Sequence, residues 1–144
     1  MNPAVEIAYS FICLFFILTA AYGAVKQKRE LLLFGVCFFC TLPIIGEVIA
    51  YAQDNMLFHL VIAMMFLAQV IVTLPINLRH DYKNKDVRAL NNKIGITVLA
   101  VNLFQGGLVL NDSINVPHQF GYMHFAVSLI MLCSIITSKT AVGS

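Results

Sequence analysis

Charged side chains are scarce in this sequence. Of its 144 residues only 11% are Asp, Glu, Lys or Arg, whereas 60% are hydrophobic. A soluble domain usually carries about 25% charged residues, and a chain this short has too little interior to bury so much apolar surface. The shortage of charge therefore excludes an ordinary soluble domain and predicts a protein that exposes apolar surface to a lipid bilayer.

Signals of several other protein classes are missing as well. The segment before the first apolar run, MNPAVE, has an acid and no basic residue, whereas a secretory signal peptide begins with a positive region. We therefore expect the first run to be a retained helix. The sequence has no phosphate-binding glycine loop, HExxH motif or nucleophile elbow, and it leans away from an enzyme.

The cysteine pattern excludes a disulfide-rich extracellular fold, because all four cysteines lie inside apolar runs. Cys37 and Cys40 form a CxxC spacing, which in a thiol–disulfide enzyme needs an accessible thiolate. Phe38 and Phe39 lie between them in an apolar helix. We interpret the two cysteines as small buried apolar residues, with a redox role as the alternative.

Long apolar runs are what the sequence has in abundance. A membrane-spanning helix needs about 20 apolar residues, and five runs approach that length: 4–25, 31–52, 57–77, 94–110 and 120–137. We predict an all-α integral membrane protein, a bundle of about five transmembrane helices that forms a single domain over residues 1–144.

The basic residues predict the orientation of the bundle. All nine fall in alternate connections or after the last run: Lys26, Lys28, Arg29, Arg79, Lys83, Lys85, Arg88, Lys93 and Lys139. Since basic residues prefer the cytoplasmic side, the N-terminus should be outside, and the C-terminus and the polar connection 78–93 should be cytoplasmic. We expect a multi-pass protein of a cytoplasmic (inner) membrane. The connection lacks the aromatic residues of a nucleic-acid site, so no nucleic acid is expected as a partner.

Glu47 is the most informative polar residue, because it lies inside the second run, about two turns from its outer end. A carboxyl group at that depth must be paired or protonated. Pro43 can kink the helix four residues earlier, and Gly46 lets another backbone approach. The functional interpretation is a proton or cation site. The alternative is a carboxyl that reaches the outer interface or bonds to a neighbouring helix.

His59 and His124 each lie about one turn into a helix from the outer side, and Gln105 lies in the fourth run. Two imidazoles at matched depth can bind a haem iron or another metal if they face each other. The alternative is that each is an interfacial histidine. The short turn at 53–56 makes the second and third helices neighbours. We predict that Glu47 lies within about one solvent-bridged contact of His59, His124 or Gln105.

The fourth run is the weakest candidate span, because it is short and contains Asn102, Gln105, Gly106 and Gly107. We expect its helix to be enclosed by the other helices and to be short or broken near Gly106.

These residues favour three functions in decreasing order. The first is an oligomeric transporter or channel with an ionisable substrate or ion site in its outer half, formed by Glu47, His59, Gln105 and His124. The second is a non-catalytic subunit of a larger membrane complex. The third is a redox protein that binds haem or quinone through the two histidines; the first two require no cofactor. The expected partners are the lipid bilayer and either further copies of the chain or a larger complex.

Overall fold

The structure is a computed structural model that describes residues 3–74, 85–114 and 116–140. Within these ranges the chain forms five helices and no strand: α1 (Pro3–Val25), α2 (Arg29–Asp54), α3 (Leu57–Thr73), α4 (Lys85–Leu110) and α5 (His118–Thr140). The prediction of an all-α bundle is confirmed for this part of the chain.

Four helices are long and apolar enough to cross a membrane: α1, α2, residues 92–110 of α4, and residues 118–137 of α5. Helix α3 is also apolar but has 17 residues, about 25 Å at 1.5 Å per residue. That is shorter than the hydrocarbon core of a bilayer, about 30 Å. The last residues of the predicted third span lie outside the described ranges. The helix lengths and composition are those of a membrane protein.

The helices form a ring in chain order. Helix α2 packs against α1 and α3, α5 packs against α4 and α1, and α3 makes a smaller contact with α4. Near the starts of α1 and α5, Gln119 donates a hydrogen bond to Glu6 at 3.0 Å. The ring therefore has one end where α1, α3 and α5 begin and where Glu6, Asp54 and Asp112 lie. We call it the acidic end.

Helices α1 and α2 approach each other backbone to backbone. A Cβ atom at Gly35 would lie 2.5 Å from both the Ala20 nitrogen and the Phe16 oxygen of α1, and one at Gly23 would overlap the backbone of Leu32. Small residues at such an interface are typical of helix pairs in membranes, where packing rather than hydrophobic burial drives association. The α1–α2 contact consequently leaves no room for side chains at these two glycines.

Helix α4 differs from its prediction in three respects. It is continuous through Gly106 and Gly107, so the expected break is wrong. Its start also lies within the predicted connection 78–93, because the chain is helical from Lys85; residues 78–84 lie outside the described ranges. Nor is α4 enclosed on all sides, since Leu103 and Phe104 are exposed. Gly106 instead accommodates α5, where a Cβ atom would lie 3.0 Å from the Gly121 oxygen.

Candidate functional site

A tight turn between α2 and α3 builds the first polar cluster at the acidic end. Asn55 ends α2 in the left-handed region, at φ 58°, and its N–H donates to the Tyr51 oxygen at 2.8 Å. The carboxylate of Asp54 accepts the N–H of Met56 at 2.8 Å. An asparagine tolerates this conformation better than most residues. The turn therefore holds the last residues of α2 beside the first turn of α3.

His59 lies between two carboxyl groups in this cluster. Its Nδ1 is 2.6 Å from Glu47 Oε2, and its Nε2 is 3.0 Å from Asp54 Oδ2. The side chains of His59 and Glu47 are only 15% and 11% exposed, whereas that of Asp54 is 39% exposed. We call these three residues the acid–base cluster. It connects a nearly buried carboxyl group to the protein surface through one imidazole.

The acid–base cluster must hold an exchangeable proton to make both contacts. A neutral imidazole has one N–H and one lone pair, while an ionised carboxylate only accepts. Two hydrogen bonds between one ring and two carboxyl groups therefore need a second hydrogen, either on the ring or on a carboxyl oxygen. If that hydrogen leaves, a ring lone pair faces a carboxylate oxygen at hydrogen-bond distance. The geometry is that of a proton-binding site.

Helix α1 brings one further titratable group to the cluster. The phenol of Tyr9 is close enough to Glu47 for their charges to interact. The ring of Tyr9 packs edge-on against Phe120 of α5, with centroids 5.2 Å apart. Glu47 therefore faces a tyrosine from α1 and a histidine from α3.

A second polar cluster crosses the interior of the ring from α2 to α5. Cys40 Sγ donates to Gln69 Oε1 at 3.7 Å, Asn102 Nδ2 donates to the same oxygen at 2.9 Å, and His124 Nδ1 lies 2.8 Å from Asn102 Oδ1. We call these four residues the amide row. All four are buried, and each comes from a different helix. The row therefore ties four helices together inside the bundle.

The backbone oxygen of Val98 fixes the direction of every bond in the amide row. This oxygen can only accept, and it lies 2.9 Å from Asn102 Nδ2, so Nδ2 is the donating end of that amide. Asn102 Oδ1 must then accept from His124, which requires a hydrogen on His124 Nδ1. Gln69 must present Oε1 to Asn102, so its own Nε2 points elsewhere. Neither amide can be reversed without placing two donors or two acceptors together.

Two aromatic rings enclose His124. Phe39 of α2 packs edge-on at a centroid distance of 5.1 Å, and Phe66 of α3 packs at 5.4 Å. Both phenylalanines are at most 2% exposed. His124 is thus a core residue of the ring, and the sequence-based alternative of an interfacial histidine is wrong for it.

The structure divides the four predicted site residues between different surroundings. Glu47 and His59 are paired, as predicted. His124 belongs to the amide row, and none of the hydrogen bonds described for His124 or Gln105 involves Glu47. The reason is their position around the ring: Glu47 is at the α2–α3 turn, whereas His124 and Gln105 lie on α5 and α4. A single site of four residues is therefore a wrong expectation.

The facing pair of imidazoles expected for a haem or metal is also wrong. Both ring nitrogens of His59 contact carboxyl groups, and His124 binds Asn102 in the other cluster. Within the described ranges, no group of three or more His, Cys, Asp and Glu side chains is placed to hold a metal ion.

The two cysteines of the CxxC spacing are buried and not joined. Cys40 contacts Gln69, and Cys37 contacts the Val70 oxygen of α3 at 3.9 Å. They pack as small side chains that also donate weak hydrogen bonds to α3.

Three polar residues matter more than the sequence indicated. Asp54 reaches back to His59 because the turn after α2 is short. Gln69 and Asn102 form the centre of the amide row. Asn102 and Gln105 are three residues apart on one face of α4, and this spacing was the available signal. No protein family, curated protein or solved structure matches the chain. The two clusters are thus the basis for inferring its function.

Proposed function

We propose that this chain is a proton-dependent membrane transporter or channel, and that the acid–base cluster is where it takes up and releases the proton. The observation that carries this proposal is the placement of His59 between Glu47 and Asp54, at 2.6 and 3.0 Å. Ionisable groups within membrane helices are costly and are characteristic of ion and proton pathways. Asp54, exposed at the acidic end, gives protons access to the buried Glu47.

The proposal includes five spans, with the N-terminus outside and the C-terminus in the cytoplasm of a cell bounded by its inner membrane. The nine basic residues support this orientation, since none of them lies in the connections at the acidic end. Protons would then enter the cluster from outside. Because Phe39, Phe66 and His124 occupy the middle of the ring, we further propose that the conducting unit is an oligomer.

Proton flux into liposomes tests the function. The purified chain is reconstituted in vesicles that contain a pH-sensitive dye, and a potassium diffusion potential drives proton entry. We expect the wild-type chain to acidify the vesicles and Glu47→Gln to reduce the rate at least tenfold. Glutamine keeps the shape of the side chain and its ability to accept from His59, but it cannot take up the proton.

An exposed ion pair at the same end supplies the matched control. His118 Nε2 lies 2.8 Å from Asp112 Oδ1, with both side chains more than half exposed. His118→Gln should leave the flux unchanged. Equal flux in Glu47→Gln and wild type, with both chains folded, would refute the proposal.

The second candidate is a subunit of a larger membrane complex, and two exposed glycines favour it. A Cβ atom at Gly46 or Gly107 would meet nothing within 4 Å. The close approach expected at Gly46 is thus not made within the described chain, and a helix of another protein has space there. Purification from native membranes in mild detergent would recover fixed partners in constant ratio if this candidate is right.

A further inference from the structure

Two buried amide groups have hydrogens to donate and no acceptor among the described residues. They are the Nε2 groups of Gln69 and Gln105, whose residues are 1% and 2% exposed. The direction of the amide row explains the first: since Gln69 Oε1 accepts from both Asn102 and Cys40, its Nε2 must point away from them. Buried amides without partners are rare in native proteins.

Both amides lie beside Asn102. Gln69 bonds to it directly from α3, and Gln105 is one helical turn further along α4 on the same face. Together their Nε2 groups present four hydrogens to the interior of the ring, next to His124. The acceptor that satisfies them must fit between these helices.

The chemistry of the surroundings identifies the class of acceptor. A cation is excluded because the groups that need a partner are donors. An anion would need positive charge, and residues 30–78 and 94–138 contain no Lys or Arg. A ring-shaped molecule would compete with Phe39 and Phe66, which already pack on His124. Water meets each requirement, since it is small and neutral and accepts two hydrogen bonds.

We propose that Gln69 and Gln105 bind internal water molecules beside the amide row, which makes the centre of the bundle a hydrated polar site. Water held there satisfies the two amides and gives His124 an exchangeable neighbour deep inside apolar helices. This site does not depend on the role of the acid–base cluster, and it stands or falls on different evidence.

Hydroxyl-radical footprinting of the chain in lipid nanodiscs tests the proposal without any assay of activity. Brief X-ray exposure generates radicals from bound water, and these oxidise the side chains beside it. Cys40 and Cys13 form a matched pair, because they are 0% and 2% exposed, yet only Cys40 is bonded to Gln69. We expect Cys40 to be oxidised at least five times faster than Cys13, as measured by mass spectrometry.

A variant extends the test. Gln69→Met keeps the length of the side chain and removes its two N–H groups, so the oxidation rate of Cys40 should fall towards that of Cys13. Equal and slow oxidation of both cysteines in the wild-type chain would show a dry interior and overturn the proposal, whether or not the variant folds. Proton flux lost in Glu47→Gln would be unaffected by that outcome.

Discussion

The imidazole of His59 lies 2.6 Å from the carboxyl group of Glu47, across the turn that joins α2 to α3. The pairing explains how a carboxyl group can lie inside an apolar helix. It also brings a proton-binding group within reach of Asp54 and the protein surface. The stability of α2 against α3 and the proposed proton site therefore depend on the same contact.

Replacing His59 with asparagine should destabilise the chain. The shorter side chain cannot bridge Glu47 and Asp54, so a buried carboxyl group loses its partner. We expect the free energy of unfolding to fall by about 1–3 kcal/mol, measured by denaturant titration in detergent micelles. His118→Asn is the control, because exposed ion pairs contribute at most about 1 kcal/mol. Equal stability of the two variants would contradict the importance of the Glu47 contact.

A methyl group at Gly35 should separate α1 from α2. In Gly35→Ala the new Cβ atom would lie 2.5 Å from two backbone atoms of α1, and overpacking of this kind costs about 1–3 kcal/mol. Gly46→Ala, in the same helix, meets nothing within 4 Å and should be neutral or stabilise the chain by up to about 1 kcal/mol. Thermal unfolding of both variants checks the prediction. A destabilised Gly46→Ala would instead show that this glycine faces a partner.

Removal of Asn102 should affect the interior of the bundle most strongly. Asn102→Leu removes the bonds to Gln69, Val98 and His124 at once. Hydrogen bonds between helices in membranes contribute about 0.6–1.7 kcal/mol each, so we expect a loss of about 2–4 kcal/mol. Thr97→Val, which removes one bond within α4 at an exposed position, is the control. A loss no greater than that of the control would show that the amide row does not hold the helices together.

The composition predicted the helical bundle, because an excess of apolar residues in long runs has few other solutions. The pairing of Glu47 with His59 was also predictable. A turn of four residues forces α2 and α3 together, and both residues are near that turn. In this case sequence distance and depth within the helices sufficed.

The amide row was not predictable in the same way. Gln69, Asn102 and His124 lie on three helices, and their contact depends on how the ring closes around α3, α4 and α5. Helical spacing gives the face of each helix but not the rotation of one helix against another. The continuity of α4 was missed for a similar reason, because Gly106 is accommodated by Gly121 of α5.

The orientation of the bundle is a separate prediction. In a chain without its native cysteines, a cysteine at Ser113 should react with a membrane-impermeant maleimide added outside intact cells, and one at Asn84 should not. The reason is the confinement of all nine basic residues to the opposite connections and the C-terminal end. The reverse pattern would invert the proposed topology.

The most direct test of the acid–base cluster is the ¹⁵N NMR spectrum of His59 in bilayers, recorded across a pH titration. The account predicts that both ring nitrogens respond to one proton shared with Glu47. The titration curve of His59 should therefore change in Glu47→Gln, while that of His118 stays the same. An unaltered His59 titration in the Glu47→Gln chain would mean that the two groups hold no proton in common and would contradict the account.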